Sequence, residues 1–219
     1  NFSYIAILEG MFQDLSGLQL IILLVSLLVA MSTHEAMHAF ASHWLGDTTA
    51  QEQGRLTLNP LKHIDLYTTV LLPVVLILMG LPPIFAARPV PFNPARVRYD
   101  EFGVAIVGIA GPITNLALAC TSALVFRLMP SMSNTTSDIL VIFTLINISL
   151  FVFNMIPFPP LDGSRLLYAF APEPLQKVMR SIEQFGFASI LIFIFLIYQF
   201  VGPTIINLNE KLLTLLLGV

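Results

Sequence analysis

Cysteine is all but missing: Cys120 stands alone in 219 residues, so no intrachain disulfide can form and no metal site can be assembled from several thiolates. Charge is scarce as well. Asp, Glu, Lys and Arg make up 11% of the chain, against about 25% in an ordinary soluble domain, which argues against a water-soluble globule. There is no Lys/Arg-rich run and the formal net charge is -3, so the chain has no electrostatic footprint for nucleic acid. Internal repeats and low-complexity segments are absent too. Nothing before Leu18 has the charged start and apolar core of a cleavable signal, so membrane targeting is expected to come from the first span.

What the chain does have is apolar length. Hydrophobic residues account for 56% of it and gather into runs: Leu18 to Ala41, Leu66 to Ala87, Phe102 to Leu128, Ile139 to Ile156, and Phe185 to about Val201. Loops containing proline and glycine separate them. A helix needs roughly 20 apolar residues to cross the hydrocarbon, so several of these runs are expected to span. The expected fold is an all-α integral membrane protein, a multi-pass helical bundle forming one domain over residues 1–219, with its core at about 18–170. Residues 185–219 are expected to add a last span and, from Thr204, a short interfacial helix, because Asn207, Asn209, Glu210 and Lys211 interrupt the apolar pattern.

The first run is too short if counted strictly. Leu18 to Met31 covers only ~21 Å at 1.5 Å per residue. To cross ~30 Å of hydrocarbon, the helix has to continue through Ser32, Thr33, His34, Glu35 and His38, which puts these polar groups at bilayer depth. His34-Glu35-Ala36-Met37-His38 has the HExxH spacing: two histidines one helical turn apart on one face, where both reach one metal ion. Polar residues at a helix end can simply sit at the interface. Two histidines and a carboxylate inside the membrane are costly, however, unless they are paired, liganded or facing water. A catalytic zinc takes three protein ligands and keeps one position open. Asp162 is the candidate third ligand, because Pro157, Pro159 and Pro160 break the helix before it and free the backbone to turn a carboxylate inward. Read locally, Asp162-Gly163 is equally an ordinary turn after a span.

Basic residues bear on the path of the second run, since Lys and Arg gather in cytoplasmic loops. A full crossing by Leu66 to Ala87 divides the ten of them almost evenly. If the segment instead enters and returns, as Gly80, Pro82 and Pro83 permit, eight of the ten share one face and only Arg127 and Lys211 lie opposite. The same path brings Asp162 to the face of His34 and His38. A re-entrant segment and a site opening toward the cytoplasm are therefore expected.

Several segments together resemble the site-2 protease family of intramembrane zinc metalloproteases. They are the HExxH helix, Gly54-Arg55-Leu56-Thr57-Leu58-Asn59-Pro60 with His63-Ile64-Asp65, and Asn154-Met155-Ile156-Pro157 through Leu161-Asp162-Gly163. Arg88-Pro89-Val90-Pro91-Phe92-Asn93-Pro94 and Gly111-Pro112-Ile113-Thr114-Asn115 are similar to a loop and a helix of its compact prokaryotic members. The order of the pieces, from about residue 18 to residue 170, is the family's. The resemblance implies one Zn2+ per chain at His34, His38 and Asp162, Glu35 as base, and Asn154 as a polar stabiliser beside the substrate. It implies cleavage of single-span membrane proteins in or near their membrane segments, from within a prokaryotic cell membrane. It leaves no room for PDZ or CBS domains, so control through those modules is not expected, whereas a regulatory partner is compatible with it.

Three further residues, Asn115, Pro91 and Asn93, are candidate substrate contacts; for Asn115, inside an apolar helix, an interhelical hydrogen bond is the default reading, and contact with substrate or support of a metal ligand is the alternative. Residues 85–99 form a short β-like loop region whose edges can pair with an extended peptide. His43 and His63, just beyond the first span, are expected among the headgroups. The competing function classes are a membrane protein that carries or senses a metal, with no need of Glu35, and a catalytically silent relative that only binds membrane segments.

Overall fold

The computed structural model describes residues 16–65, 89–186, 188–189, 193 and 198–218. Three helices in it are long and apolar enough to cross a membrane: α1 (Gly17–Trp44), α2 (Asp100–Leu128) and α3 (Asn134–Asn154). Three more follow: α4 (Gly163–Phe170), α5 (Glu173–Glu183) and α6 (Tyr198–Leu217). Among the described residues there is no strand. The expected β-like loop is, over its described part, an extended stretch leading into a 3-10 turn at Pro94–Arg96, where the Asn93 side chain accepts from Ala95 N–H. The expected re-entrant segment, Leu66 to Ala87, and residues 187, 190–192 and 194–197 of the last run lie outside the described residues.

Helix boundaries follow local chemistry. Ser16 caps α1 in a reciprocal box with Gln19, each side chain accepting from the other's backbone N–H. Ser133 caps α3 by accepting from Thr136 N–H. Proline-rich residues 157–160 follow the end of α3, where helix continuation is blocked. Pro112 lies inside α2, tolerated because the helix packs on both sides.

Helices α1, α2 and α3 pack pairwise into a bundle, α4 lies against α2, and α6 lies against α2 and α3. In lipid there is no water to drive apolar surfaces together, so close packing and hydrogen bonds hold helices in place. Ile22 and Ala30 of α1 meet Ile142 and Ile146 of α3. Ala119 of α2 meets Ile148 and Val152 of α3, and Ile205, Leu212, Leu213 and Leu216 of α6 close over them. The helix expected at the interface from Thr204 onward is thus the continuation of a 20-residue helix docked on the bundle, because its leucines are spaced to face α2 and α3. Two polar rungs tie α2 to α3: Asn115 with Asn147, and, two turns further along α2, Ser122 with Thr144 at 2.6 Å.

The connections place the end of α1 and the start of α2 on one face. Arg98 N–H donates to Leu45 O at 2.9 Å and Asn93 N–H to Asp47 Oδ2 at 2.7 Å, so the end of α1 and the approach to α2 lie together. Glu52 and Arg96 are paired across the same junction at 3.4 Å. Residues up to 65 and from 89 onward therefore flank this face. On the opposite face, Gln19 at the start of α1 reaches Asp138 near the start of α3, and Arg127 at the end of α2 donates to Leu215 O.

Candidate metal centre

His34 and His38 stand one turn apart on α1, at the depth where the helix runs alongside α2. Asp162 arrives from the turn between α3 and α4, with Gly163 pressed so near Met155 O that an added Cβ would lie 2.4 Å from it. The three converge: His34 Nε2 is 3.0 Å from His38 Nε2 and 2.9 Å from Asp162 Oδ2, and His38 Nε2 is 3.3 Å from the same oxygen. Both histidines are buried, and Asp162 is half-buried.

The outer ring nitrogens show what the inner ones offer. His38 Nδ1 faces Val107 O at 2.7 Å, and a carbonyl can only accept, so the proton of the neutral ring is on Nδ1. His34 Nδ1 faces Asn115 Oδ1, with the same consequence. Each Nε2 then directs a lone pair at its neighbour and at a carboxylate oxygen. Three acceptors with no donor between them repel, and a divalent cation is what such a cluster accommodates. All three ligand atoms lie within 4.8 Å of one another, forming a group able to hold a metal ion.

Room for an ion is kept by a glycine. A Cβ on Gly111 of α2 would sit 2.5 Å from His38 Nε2 and 2.6 Å from His34 Nε2. One turn earlier, Gly108 plays a similar part against α4, where a Cβ would fall 2.5 Å from Arg165 Cβ and 3.1 Å from Asp162 O. Two missing side chains on one stripe of α2 thus let both imidazoles and the Asp162 turn approach the same helix.

Glu35 is half-buried and is not among the three clustered ligands. Its Oε2 accepts from Val90 N–H at 2.8 Å, so the 89–93 stretch holds one oxygen of the carboxylate. Three residues on, the same stretch is held again, by Asp47. That carboxylate is buried and accepts from Thr49 N–H, the Thr49 hydroxyl and Asn93 N–H. Burial works to raise the Asp47 pKa, but these hydrogen bonds and the charge of Arg96 outweigh it and hold it below the usual carboxylate value. Asp47 therefore adds stability above the ordinary carboxylate pKa, and that stability fades as pH falls through the lowered value.

Other expected site residues are placed differently. Asn115 is fully enclosed; its Oδ1 faces His34, and its NH2 donates to Asn147 Oδ1 at 2.8 Å and Ala30 O at 3.3 Å. Its side chain thus joins α2 to α1 and α3 by hydrogen bonds and at the same time backs His34. Asn154 ends α3 with its NH2 donating to Leu150 O at 2.9 Å. Pro91 is half-buried, and exposed Asn93 turns its side chain onto Ala95 N–H. His63 is buried rather than in the headgroups: its Nε2–H donates to Thr57 O at 2.8 Å and Arg55 Nη2 approaches its Nδ1, so it braces the loop from within. His43 is half-buried.

Sequence reasoning missed Asn147, Asp47 and the backbone groups of Val90 and Val107. A lone asparagine inside an apolar helix was the one available signal for Asn147, and backbone groups leave none.

The chain is similar in sequence to known proteins. Residues 125–198, which include Asp162, match the sequence profile of Peptidase family M50. Over 179 residues the chain is 35% identical to "Putative zinc metalloprotease YwhC" of Bacillus subtilis, covering 78% of each. It is 28% identical to "Putative zinc metalloprotease Rip2" of Mycolicibacterium smegmatis over 78% of this chain and 66% of that one. Against the protein of the same name from Mycobacterium tuberculosis it is also 28% identical, over 81% of this chain and 66% of the relative. No solved structure matches at a significant level. The chain is a membrane protein belonging to peptidase family M50, the site-2 protease family of zinc metalloproteases.

Proposed function

We propose that the protein is an intramembrane endopeptidase that hydrolyses peptide bonds in or near the membrane segments of single-span proteins, using one zinc ion per chain. The observation that carries this reading is the convergence of His34, His38 and Asp162 on a spanning helix that also bears Glu35. Zinc held by these ligands supplies Lewis acidity, bringing the pKa of a water toward ~7 and polarising a peptide carbonyl.

The chain's own residues do the rest. Glu35 takes the proton of the attacking water and returns it to the leaving nitrogen, so one water is consumed per bond. Val90 N–H keeps the carboxylate on its rotamer while it does so. Asn154 has a second N–H beyond the one given to Leu150 O, and we assign it to the substrate carbonyl oxygen, where charge develops. Asn154→Ala then lowers kcat by about 10²-fold at unchanged zinc content, in line with the loss of one oxyanion donor.

A substrate helix has its carbonyls engaged in hydrogen bonds, so local unwinding precedes attack, and targets with Pro or Gly near the scissile bond are favoured. The bias of basic residues to the face of Arg96 and Arg98 supports a site open to the cytoplasm of a prokaryotic cell. A regulatory partner is compatible with this arrangement. The test is mass-spectrometric mapping of products from a panel of tagged single-span proteins. Zinc-dependent cuts within or at the edge of the apolar segment are expected, and cuts confined to soluble tails would overturn the intramembrane assignment.

A further inference from the structure

The ring of His34 binds a cation through Nε2 only if its proton sits on Nδ1, and the group facing Nδ1 is an amide, not a carbonyl. That difference matters. The Val107 carbonyl opposite His38 has no donor and allows one tautomer. The Asn115 side chain has two ends: turned by half a rotation it would present NH2 to His34 Nδ1, move the ring proton to Nε2 and close that ligand position.

What fixes the Asn115 amide is visible on α3. Asn147 is fully buried, and its NH2 donates to Phe143 O one turn back at 2.8 Å. Since Phe143 O can only accept, the Asn147 oxygen must point the other way, toward Asn115. The Asn115 NH2 is then directed to Asn147 Oδ1 and, from the other side, to Ala30 O. Its oxygen is left for His34. Two backbone carbonyls, on α3 and α1, thus set the direction of a chain of two amides that ends at a metal ligand.

We infer that Asn147 is a positioning residue for the metal centre: through Asn115 it selects the His34 tautomer that leaves Nε2 free to bind zinc. It touches neither ligand nor substrate. The inference rests on the zinc-centre reading and extends it to a residue outside any recognised motif of the chain. The rung formed by Ser122 and Thr144 joins the same two helices and ends at no ligand, so it serves as an internal control for packing alone.

The experiment measures zinc affinity of the purified full chain in detergent by competition with a chelator. Asn147→Leu is expected to weaken binding by about 10–100-fold, the usual cost of losing an outer partner of a ligating histidine. Ser122→Ala with Thr144→Val is expected to leave affinity unchanged even where it lowers Tm. In an Asn115→Asp background the two oxygens are equivalent and there is no amide direction to set, so adding Asn147→Leu should cost nothing further. An unchanged affinity in Asn147→Leu, an equal loss in the Asp background, or an equal loss from the control rung overturns the inference. Should Asn147→Leu fail to fold, 15N spectra of histidine-labelled, zinc-free wild type decide: His34 protonated at Nδ1 upholds it, and protonation at Nε2 overturns it. Wild type that binds no zinc refutes the zinc-centre reading itself, which is a separate result.

Discussion

At the scale of single residues, the centre depends as much on an atom that is missing as on the ligands. A Cβ at Gly111 would lie 2.5 Å from His38 Nε2 and 2.6 Å from His34 Nε2, closer than carbon and nitrogen pack. Gly111→Ala is predicted to leave α1 and α2 folded while forcing the imidazoles aside. An overpacking cost of ~1–3 kcal/mol corresponds to a loss of zinc affinity on the order of 10–100-fold. Competition with a chelator measures it, and an unchanged affinity would show that the imidazoles have slack. This glycine was readable as part of a motif but not as a spacer, because its role depends on the approach of α2 to α1. The cluster of candidate ligands was legible: the helical repeat puts His34 and His38 on one face, and the need for a third ligand directs attention to an acid after a proline-broken helix. Asn115 was legible as a hydrogen-bonding residue inside an apolar helix, whereas Asn147 was not singled out, since an asparagine in an apolar run signals a hydrogen bond without naming its partner.

Among the elements, the stretch from Val90 to Arg98 has the most to do. Through backbone N–H groups it reaches back to α1 at Glu35 and to the turn after α1 at Leu45 and Asp47. Asp47→Ala removes acceptors for Asn93 N–H and for both donors of Thr49. It is predicted to lower stability by about 1–3 kcal/mol. Amide exchange should rise across 89–97, and kcat should fall at unchanged zinc content, because Glu35 loses a fixed partner. If exchange in 89–97 stays at the wild-type rate, Asp47 is not what holds the stretch. The sequence suggested β-like edges here. The extended backbone is present, but its partners among the described residues are carboxylates and a helix-terminal carbonyl, which no alternation pattern encodes. The long helices were legible to within a few residues because 3.6-residue geometry and bilayer thickness fix their length. Helix α6 was divided in the sequence reading because its polar residues suggested a surface, whereas its leucines dock on α2 and α3.

For the whole molecule, the contacts between residues 45–52 and 93–98 bring the end of α1 and the start of α2 to one face. With Cys120 replaced by Ser, single cysteines introduced at exposed Lys62 and Arg96 are predicted to react with an impermeant reagent from the same side of the membrane. A cysteine at Lys211 should react from the opposite side. Lys62 and Arg96 labelled from different sides would contradict the arrangement. This topology makes the metal chemistry possible, since it sends α3 back to the face of His34 and His38 and delivers Asp162 to them.

The most direct measurement compares wild type with Glu35→Gln, quantifying bound zinc and cleavage of tagged single-span substrates by purified protein in detergent. Equal zinc in both and a fall in cleavage of about 10²–10⁴-fold in the variant are expected, the contribution of a general base. Cleavage that survives the substitution, or zinc bound with no Glu35-dependent hydrolysis of any substrate, would contradict this mechanism and point to a protein that handles metal or membrane segments without cutting them.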